Sequence, residues 1–143
     1  EMDGYIYKSV SSVRSIVDHV KENRQKQVHE PVLFQPDLGR INIRVHVVGD
    51  SCYAVKLLSP DVDYRYGSLK PLVSVCYLPS KIESLSYRLT SHLGLLFSGI
   101  DFMLFEGRYY FLEMNPSPGY AYYEQQTQSY EISHALYQCL EGL

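Results

Sequence analysis

Several features that would assign this sequence to a class at once are missing. Tryptophan is absent, there are only three cysteines, and no apolar run approaches the roughly 20 residues needed to span a bilayer. Cys52, Cys76 and Cys139 are far apart, so they indicate neither a disulfide framework nor a zinc knuckle. The first residues, EMDGYIYK, lack the basic and apolar regions of a signal peptide. A cytoplasmic location without a membrane partner is therefore expected.

An excess of positive charge is missing as well. The 143 residues carry a formal net charge of -3 and the sequence pI is about 5.9, so the charge gives no sign of a nucleic-acid partner. With 45% hydrophobic and 20% charged residues, the composition indicates a globular domain with a workable core. The five histidines show no H-E-x-x-H pattern, and they are given no catalytic role.

Tyrosine, by contrast, is abundant. The chain has 14 tyrosines, and this side chain joins an apolar ring to a hydroxyl group, which suits clefts and interfaces. Tyr120, Tyr122 and Tyr123 form a cluster that we interpret as a wall for a peptide substrate. The alternative is a contact buried in a homodimer.

Hydrophobic periodicity predicts the elements of the N-terminal half. GYIYK (4–8) is typical of a strand, and apolar residues then recur at helical spacing over 13–20. A polar connector leads to a strand, PVLFQPD (31–37). INIRVHVV (41–48) alternates, and the Gly-Asp pair that follows it predicts a tight turn into the returning strand CYAVKLL (52–58).

Loops and helices make up much of the C-terminal half. Residues 59–77 show no clean period and are predicted to form a functional loop or lid. A helix is predicted after Pro79 and ends at Gly94, and a loop is expected over 115–128. A terminal helix is predicted to turn four side chains inward: Ile132, Leu136, Cys139 and Leu140. The fold class is therefore α+β, with antiparallel hairpins and flanking helices.

One predicted hairpin, IDFMLFEGRYYFLEMNPSPG (100–119), carries an acid inside each of its apolar strands. If 106–108 form a three-residue loop, Phe105 pairs with Tyr109 and Asp101 lies directly across from Glu113. A two-residue loop would place the two acids on opposite faces of the sheet. We predict the three-residue loop, with the two acids facing each other.

Two facing carboxylates destabilise a sheet unless something neutralises them, and a divalent cation does so. Asn115 adds a carbonyl oxygen on the same side as Glu113, which makes an all-oxygen set suited to Mg²⁺ or Mn²⁺. Without metal, one acid is expected to be protonated or paired with Arg65, Arg44 or Lys56. Neutralising both acids is then expected to leave the stability unchanged or slightly higher. The alternatives are a solvated face or a shared proton.

The order of motifs along nearly the whole chain resembles the ATP-grasp ligases. An acid followed by E-x-N and a Pro/Gly loop stands here as GID and LEMNPSPG, and INIRVHVVGD resembles the family's D-I-R strand with Asn42 in place of the acid. YIYKSVSSVRS resembles the lysine strand and phosphate loop, DVDYRYG the aromatic-arginine pair, and PVLFQPD the adenine-binding linker. The pattern is most similar to the peptide-modifying members, such as the microviridin-type maturases, and next to the ribosomal-protein glutamate ligases.

The resemblance implies an ATP-grasp fold, with residues 1–35 as a remnant of the first lobe and 36–143 as the second. It implies a chain without the family's N-terminal part, which we expect to be a fragment. The implied cofactors are ATP and Mg²⁺, and the implied reaction joins a carboxylate to an amine or hydroxyl through an acyl phosphate, on a peptide or amino-acid substrate. The alternative is an inactive module that binds nucleotide or serves as a scaffold.

Each site residue receives a role from the same resemblance. Metal binding is assigned to Asp101, Glu113 and Asn115. Nucleotide binding is assigned to Lys8, Gln35, Asn42 and Lys56. The catalytic charges are assigned to Arg44 and Arg65. The structural alternatives are a cross-strand ion pair for Arg44, a solvated strand end for Lys8 and a polar strand end for Gln35.

Overall fold

A computed structural model describes residues 4–9, 17–19, 31–61 and 69–142. The strands within these ranges are β1 (Tyr5–Ser9), β2 (Val17–His19), β3 (Val32–Pro36), β4 (Ile41–Val48), β5 (Ser51–Leu58), β6 (Leu72–Val75), β7 (Phe97–Phe105) and β8 (Arg108–Asn115). The helices are α1 (Ser80–His92), α2 (Ala121–Thr127) and α3 (Glu131–Glu141). This arrangement confirms the predicted α+β class.

The described strands form two antiparallel sheets. A three-stranded sheet has the order β2-β1-β3, and a five-stranded sheet has the order β6-β5-β4-β7-β8. The chain passes from one sheet to the other over residues 37–40, where the Arg40 guanidinium donates to the Asp37 carboxylate at 2.6 Å. Asp37 also ties this turn to the start of β1, because its backbone N–H donates to the Gly4 carbonyl at 2.7 Å.

The predicted hairpin over 41–58 is confirmed. Val48 pairs with Ser51, so the Gly-Asp pair at 49–50 is a two-residue turn, and Gly49 has a φ of +53°. That backbone conformation favours glycine because a Cβ disfavours positive φ. The alternation of β4 puts Ile43, Val45 and Val47 in one hydrophobic cluster.

The hairpin of β7 and β8 differs from the prediction at its turn. Phe105 pairs with Arg108, so the loop has two residues, Glu106 and Gly107, and not the predicted three. Both have positive φ, +49° and +74°, as a type I′ turn requires. Such a loop alone would place the two acids on opposite faces, and that half of the sequence argument was wrong.

A β-bulge restores the pairing of the acids. Phe102 pairs with Phe111 while Asp101 pairs with Glu113, so Leu112 is an extra residue on β8. One extra residue reverses the alternation of side chains along the rest of the strand. Asp101 therefore lies across from Glu113 as predicted, although by a different route.

The bulge also divides β8 between two environments. Tyr109 packs against the apolar cluster of the sheet, and the rings of Tyr109 and Phe111 both lie edge-on to Phe102. Glu113, beyond the bulge, faces the opposite side with Asp101. Tyr109 and Phe111 therefore lie on the opposite face of β8 from Glu113.

Helix α1 covers the apolar face of the five-stranded sheet. It begins after Pro79 and ends near Gly94, whose φ is +65°, which confirms the predicted helix and its stop. Ile82, Leu85 and Leu89 pack against the cluster that the sheet supplies. This layer is the main hydrophobic core.

Two segments of the N-terminal and central regions differ from prediction. Residues 17–19 form strand β2, which pairs with β1, where helical spacing had predicted a helix. Residues 72–75 form the edge strand β6 within the predicted loop of 59–77. In both cases a neighbouring strand supplied hydrogen bonds that outweighed a weak local pattern. The rest of the predicted helix, the connector at 21–30 and residues 62–68 lie outside the described residues.

The C-terminal segment contains one helix more than predicted. Residues 121–127 form α2 inside the expected loop of 115–128. The Glu124 carboxylate accepts from the backbone N–H of Ser133 at 2.8 Å and from its hydroxyl at 2.5 Å, which caps the first turn of α3. In α3, Ile132, Leu136 and Cys139 face inward as predicted, whereas Leu140 is 71% exposed.

The three cysteines are free thiols that pack beside the hydrophobic clusters. Burial raises the pKa of Cys52 to about 12, so its thiol stays protonated and unreactive near neutral pH. Among the described residues, no helix is both long enough and apolar enough to cross a membrane.

Candidate functional site

The face of the five-stranded sheet that points away from α1 is polar at its centre. Side chains alternate along β4, so Asn42, Arg44 and His46 share this face while their neighbours enter the core. Arg44 pairs in register with Asp101 of β7, and Asp101 pairs with Glu113 of β8. Three adjacent strands thus place three charged residues side by side.

The centre of this face is an ion pair between Arg44 and Asp101. The Arg44 Nη1 atom lies 2.5 Å from Asp101 Oδ2, and the two side chains are only 9% and 19% exposed. A charge-assisted hydrogen bond at this distance is strong, and water screens it little at such burial. The pairing is one of the outcomes expected without metal, in which one acid is protonated or paired with Arg65, Arg44 or Lys56. It is also the cross-strand ion pair that was the structural alternative for Arg44.

Glu113 forms the second ion pair, with Lys8 of the small sheet. Lys8 Nζ lies 3.1 Å from Glu113 Oε2, and the two side chains are 30% and 48% exposed. Because Lys8 belongs to β1 and Glu113 to β8, this contact joins the two sheets. Solvent reaches both groups, so the pair contributes little to stability but leaves both groups accessible to a ligand.

Gly99 makes room for Arg44 at the next position along β7. A Cβ at Gly99 would lie 2.5 Å from the Pro118 Cβ and 3.0 Å from the Arg44 Cζ and Nη2. Real Cβ atoms do not approach backbone or ring atoms so closely, so any other residue would displace Pro118 or the guanidinium. Glycine here serves close approach, and its φ is ordinary.

His46 is a buried part of this face to which the sequence gave no role. Its side chain is 1% exposed, and Nε2 lies 3.3 Å from the Gly119 carbonyl oxygen. Burial, and next the Arg44 charge, lower the pKa of His46 to about 4. The imidazole is therefore neutral near pH 7, and as the Nε2–H tautomer it donates to the loop that follows β8. Alternation along β4 was the signal that placed it beside Arg44.

Helix α2 brings Tyr123 against the same face. The Tyr123 ring centroid lies 5.7 Å from Arg44 Cζ and 5.3 Å from the His46 ring centroid. Tyr120 packs edge-on to Phe97, within the cluster beneath α3. Two of the three clustered tyrosines therefore hold the interior together, and only Tyr122 has the exposure that the predicted peptide wall needs.

Asn115 lies at the end of β8, opposite Gly99. Its Oδ1 accepts a hydrogen bond from the Ser117 backbone N–H at 2.8 Å, which forms a local turn at the start of the loop. The amide oxygen thus lies beyond the bulge, on the same side of the sheet as Glu113.

The structure places only some of the remaining predicted residues near the site. Asn42 lies on the polar face of the large sheet. Gln35 pairs with Ile6, which lies two residues from Lys8 on β1, so Gln35 and Lys8 share one face of the small sheet. Lys56 pairs with Ile43 and so lies on the opposite side of the large sheet from Arg44. The structure does not bring Lys56 to the site. Arg65 lies outside the described residues.

The donor set fits a hard divalent cation that is shared with a ligand. Within the described parts of the chain, no group of three or more His, Cys, Asp or Glu residues forms a metal cluster. Two carboxylates and one amide oxygen on one side of β7 and β8 are the oxygen donors available. Mg²⁺ commonly takes one or two carboxylates and completes its shell with water and substrate phosphates. Lys8 and Arg44, the present partners of the acids, would then be available to neutralise those phosphates.

Comparison with known proteins identifies the fold of the chain. No family model matches the sequence, and no curated protein matches it. Among solved structures, the macrocyclase MdnC from Microcystis aeruginosa, bound with precursor peptide MdnA, aligns with a TM-score of 0.75 at 23% identity, over 98% of this chain and 49% of that one. The chain has the ATP-grasp fold.

Two further ATP-grasp structures agree. The ligase PsnB, complexed with a phosphomimetic variant of minimal precursor, Mg and ADP, gives a TM-score of 0.72 at 22% identity, over 90% of this chain and 43% of that one. A RiPP-associated ATP-grasp ligase from Chryseobacterium gregarium, in complex with ADP and a leader and core peptide, gives 0.72 at 20% identity, over 92% and 46%. The chain spans less than half the length of each of these three structures. The ATP-grasp resemblance seen in the sequence is thus confirmed for the fold.

Proposed function

We propose that this chain supplies the Mg²⁺ and phosphate site of an ATP-dependent ligase that modifies a peptide. In the proposed reaction a carboxylate attacks the γ-phosphorus of ATP and ADP leaves. An amine or hydroxyl then displaces phosphate from the acyl phosphate to form an amide or ester. Little covalent work falls to the protein in such a reaction, which depends on positioning and on neutralising charge.

The similar structures support the substrate class. MdnC is bound with a precursor peptide, and PsnB is complexed with precursor peptide and AMPPNP in one structure and with Mg and ADP in others. The same fold over nearly all of this chain makes ATP, Mg²⁺ and a peptide the first ligands to test here.

The oxygen donors of β7 and β8 are assigned to the metal. Asp101, Glu113 and Asn115 would hold Mg²⁺, which when bound neutralises phosphate charge and orients the phosphates. The observation that carries this assignment is the bulge at Leu112, which returns Glu113 to the face of Asp101 after a turn that would have separated them. This pairing supports the assignment, since two facing acids destabilise a sheet unless cations neutralise them, as Arg44 and Lys8 do here.

The cations of the site are assigned to the phosphates. Lys8 is accessible and already near the acids, so it needs only to leave Glu113 to meet a phosphate oxygen. Arg44 lies deeper and would face the phosphoryl group in transfer. Arg65 is assigned the same role from its sequence motif. Asn42 and Gln35 remain candidates for nucleotide contacts.

A thermal-shift experiment tests the assignment. Mg²⁺ with ATP is expected to raise the melting temperature, because a ligand that binds only the native state stabilises it, while Mg²⁺ alone is expected to do little. Glu113→Gln is expected to abolish the ATP-dependent shift. Glu106→Gln, a matched change at the exposed turn of the same hairpin, is expected to leave the shift intact. An unaltered shift in Glu113→Gln would refute the metal role of Glu113.

A second experiment separates the ligase from an inactive nucleotide-binding module. Hydroxylamine intercepts acyl phosphates as hydroxamates, so the full-length protein is incubated with Mg·ATP, hydroxylamine and a library of peptides containing Asp and Glu. Hydroxamate formed together with ADP indicates a ligase. Nucleotide binding without hydroxamate from any peptide in the library would favour the module.

A further inference from the structure

Arg44 is held from several sides. Asp101 binds its Nη1 atom, the guanidinium lies so close to Gly99 that a Cβ there would be 3.0 Å from Cζ and Nη2, and the Tyr123 ring centroid lies 5.7 Å from Cζ. Tyr123 is only 8% exposed. An aromatic ring at this distance from a guanidinium attracts it, and the attraction grows when water is excluded.

Metal binding by Asp101 would weaken one of these contacts, the ion pair with Arg44. A carboxylate that coordinates a divalent cation gives up electron density to it and holds a neighbouring guanidinium less strongly. Arg44 would then lose part of its main anchor in the metal-bound state, when its position matters most. The contact with Tyr123 is between an aromatic ring and the guanidinium, and this attraction needs no charge on Asp101.

We propose that Tyr123 is a positioning residue that keeps Arg44 aimed at the terminal phosphate of the nucleotide when Asp101 turns to the metal. This inference rests on the proposed function and adds to it a residue from α2, outside the motifs that predicted the site. It assigns Tyr123 a role through Arg44 and no direct contact with substrate.

The Tyr123 ring is itself firmly placed. His46 packs against it with ring centroids 5.3 Å apart, and Tyr122 meets it edge-on at the same separation. Val55 and Leu57 of β5 form a buried cluster with it. A ring so confined restricts the guanidinium beside it to few orientations, which is what preorganisation requires.

The test compares two nucleotides in the full-length protein. The dissociation constants of Mg·ADP and Mg·AMPPNP are measured by calorimetry. The Mg·ADP constant divided by the Mg·AMPPNP constant reports how much the terminal phosphate contributes to binding. Tyr123→Leu removes the ring and is expected to lower that ratio by about three- to tenfold, with Mg·ADP binding within about twofold of wild type. Tyr123→Phe keeps the ring and is expected to restore the wild-type ratio.

Two controls separate positioning from general loosening of the fold. Val73→Ala weakens the same hydrophobic cluster without touching Arg44, and Tyr137→Leu makes the same chemical change on the exposed side of α3. Neither is expected to change the ratio. If Tyr123→Leu does not fold, Tyr123→Met replaces it, because a flexible methionine fills the same space without a ring.

The outcomes distinguish this inference from the proposed function. Wild-type protein that binds Mg·ADP and Mg·AMPPNP, with an unchanged ratio in Tyr123→Leu or Tyr123→Met, overturns the role of Tyr123 and leaves the function standing. A ratio that falls equally in Val73→Ala also overturns it. Wild-type protein that binds neither nucleotide refutes the proposed function, and this inference with it.

Discussion

The two faces of the five-stranded sheet differ in chemistry although the same strands form both. Toward α1, Ile43, Val45 and Phe102 are almost completely buried in one apolar cluster. Toward α2, Arg44 and Asp101 form an ion pair on the same two strands, a single residue away. One face supplies the main apolar core, and the other carries charged groups whose burial is offset by their pairing.

The five-stranded sheet can form a hydrophobic core on one face and a polar site on the other. Alternation allows neighbouring positions to be selected for different purposes, since a change in one side chain does not enter the other face. The bulge at Leu112 extends the division to β8, where the rings before it join the core and the acid after it joins the site. Substitutions on each face test whether the two faces are separable in this way.

The largest effect is expected on the apolar face. Ile43→Ala removes a side chain that is 1% exposed and is expected to lower the free energy of unfolding by about 3–4 kcal/mol through lost burial and a cavity. Urea denaturation measures this loss. The affinity of the folded protein for Mg·ADP is expected to stay within about twofold of wild type, and a collapse of that affinity would show that the faces are not separable.

The next effect is expected on the polar face. Asp101→Asn leaves the Arg44 guanidinium buried without its carboxylate and is expected to lower the free energy of unfolding by about 2–3 kcal/mol. Because of the ion pair, this prediction differs from the sequence-based expectation that neutralising both acids leaves stability unchanged or slightly higher. The double variant Arg44→Met with Asp101→Leu is expected to recover most of the loss. Equal stability of Asp101→Asn and wild type would contradict the role of the ion pair.

A smaller, pH-dependent effect is expected at His46. Its pKa falls from 6.5 in the unfolded chain to about 4 in the folded protein, so between these values the unfolded state binds more protons. Stability is therefore lost as the pH falls below 6.5, by about 2 kcal/mol at pH 5. His46→Gln keeps a donor for the Gly119 carbonyl and is expected to show a flatter pH dependence in chemical denaturation. Parallel curves for the two proteins would contradict the buried, neutral histidine.

The smallest effect on stability is expected at the contact between the sheets. Lys8→Met removes a solvent-exposed ion pair and is expected to change the free energy of unfolding by less than about 1 kcal/mol. The same change is expected to weaken Mg·ATP binding more than tenfold if Lys8 meets the phosphates. A large loss of stability with unchanged nucleotide affinity would make the contact structural.

Much of the fold followed from local patterns in the sequence. The alternation of β4 and the Gly-Asp turn after it predicted the central hairpin, and apolar spacing between Pro79 and Gly94 predicted α1. Strands β2 and β6 were missed because they have only three and four residues and are defined by hydrogen bonds to the preceding strands, β1 and β5. Such tertiary hydrogen bonds leave no periodicity in four residues.

The site was predictable in part for similar reasons. The sequence placed Asp101 across from Glu113, yet it assumed a three-residue turn where the structure has a two-residue turn and a bulge. The turn is one residue shorter than predicted, and the bulge adds one residue. These two changes cancel at the acids, so side-chain alternation in the sequence could not reveal either of them. His46 was missed as a site residue, and Tyr123 was assigned to a peptide wall and not to Arg44, because the contacts of both residues join β4 to α2.

We propose that Asp101 and Glu113 together hold a divalent cation beside a nucleotide. Crystals of the full-length protein with Mn²⁺ and AMPPNP, measured at the manganese absorption edge, locate that cation directly. We expect anomalous density about 2.1 Å from oxygens of both acids, with Lys8 turned from Glu113 to a phosphate. Manganese bound elsewhere, with the Arg44–Asp101 and Lys8–Glu113 pairs intact, would contradict the assignment.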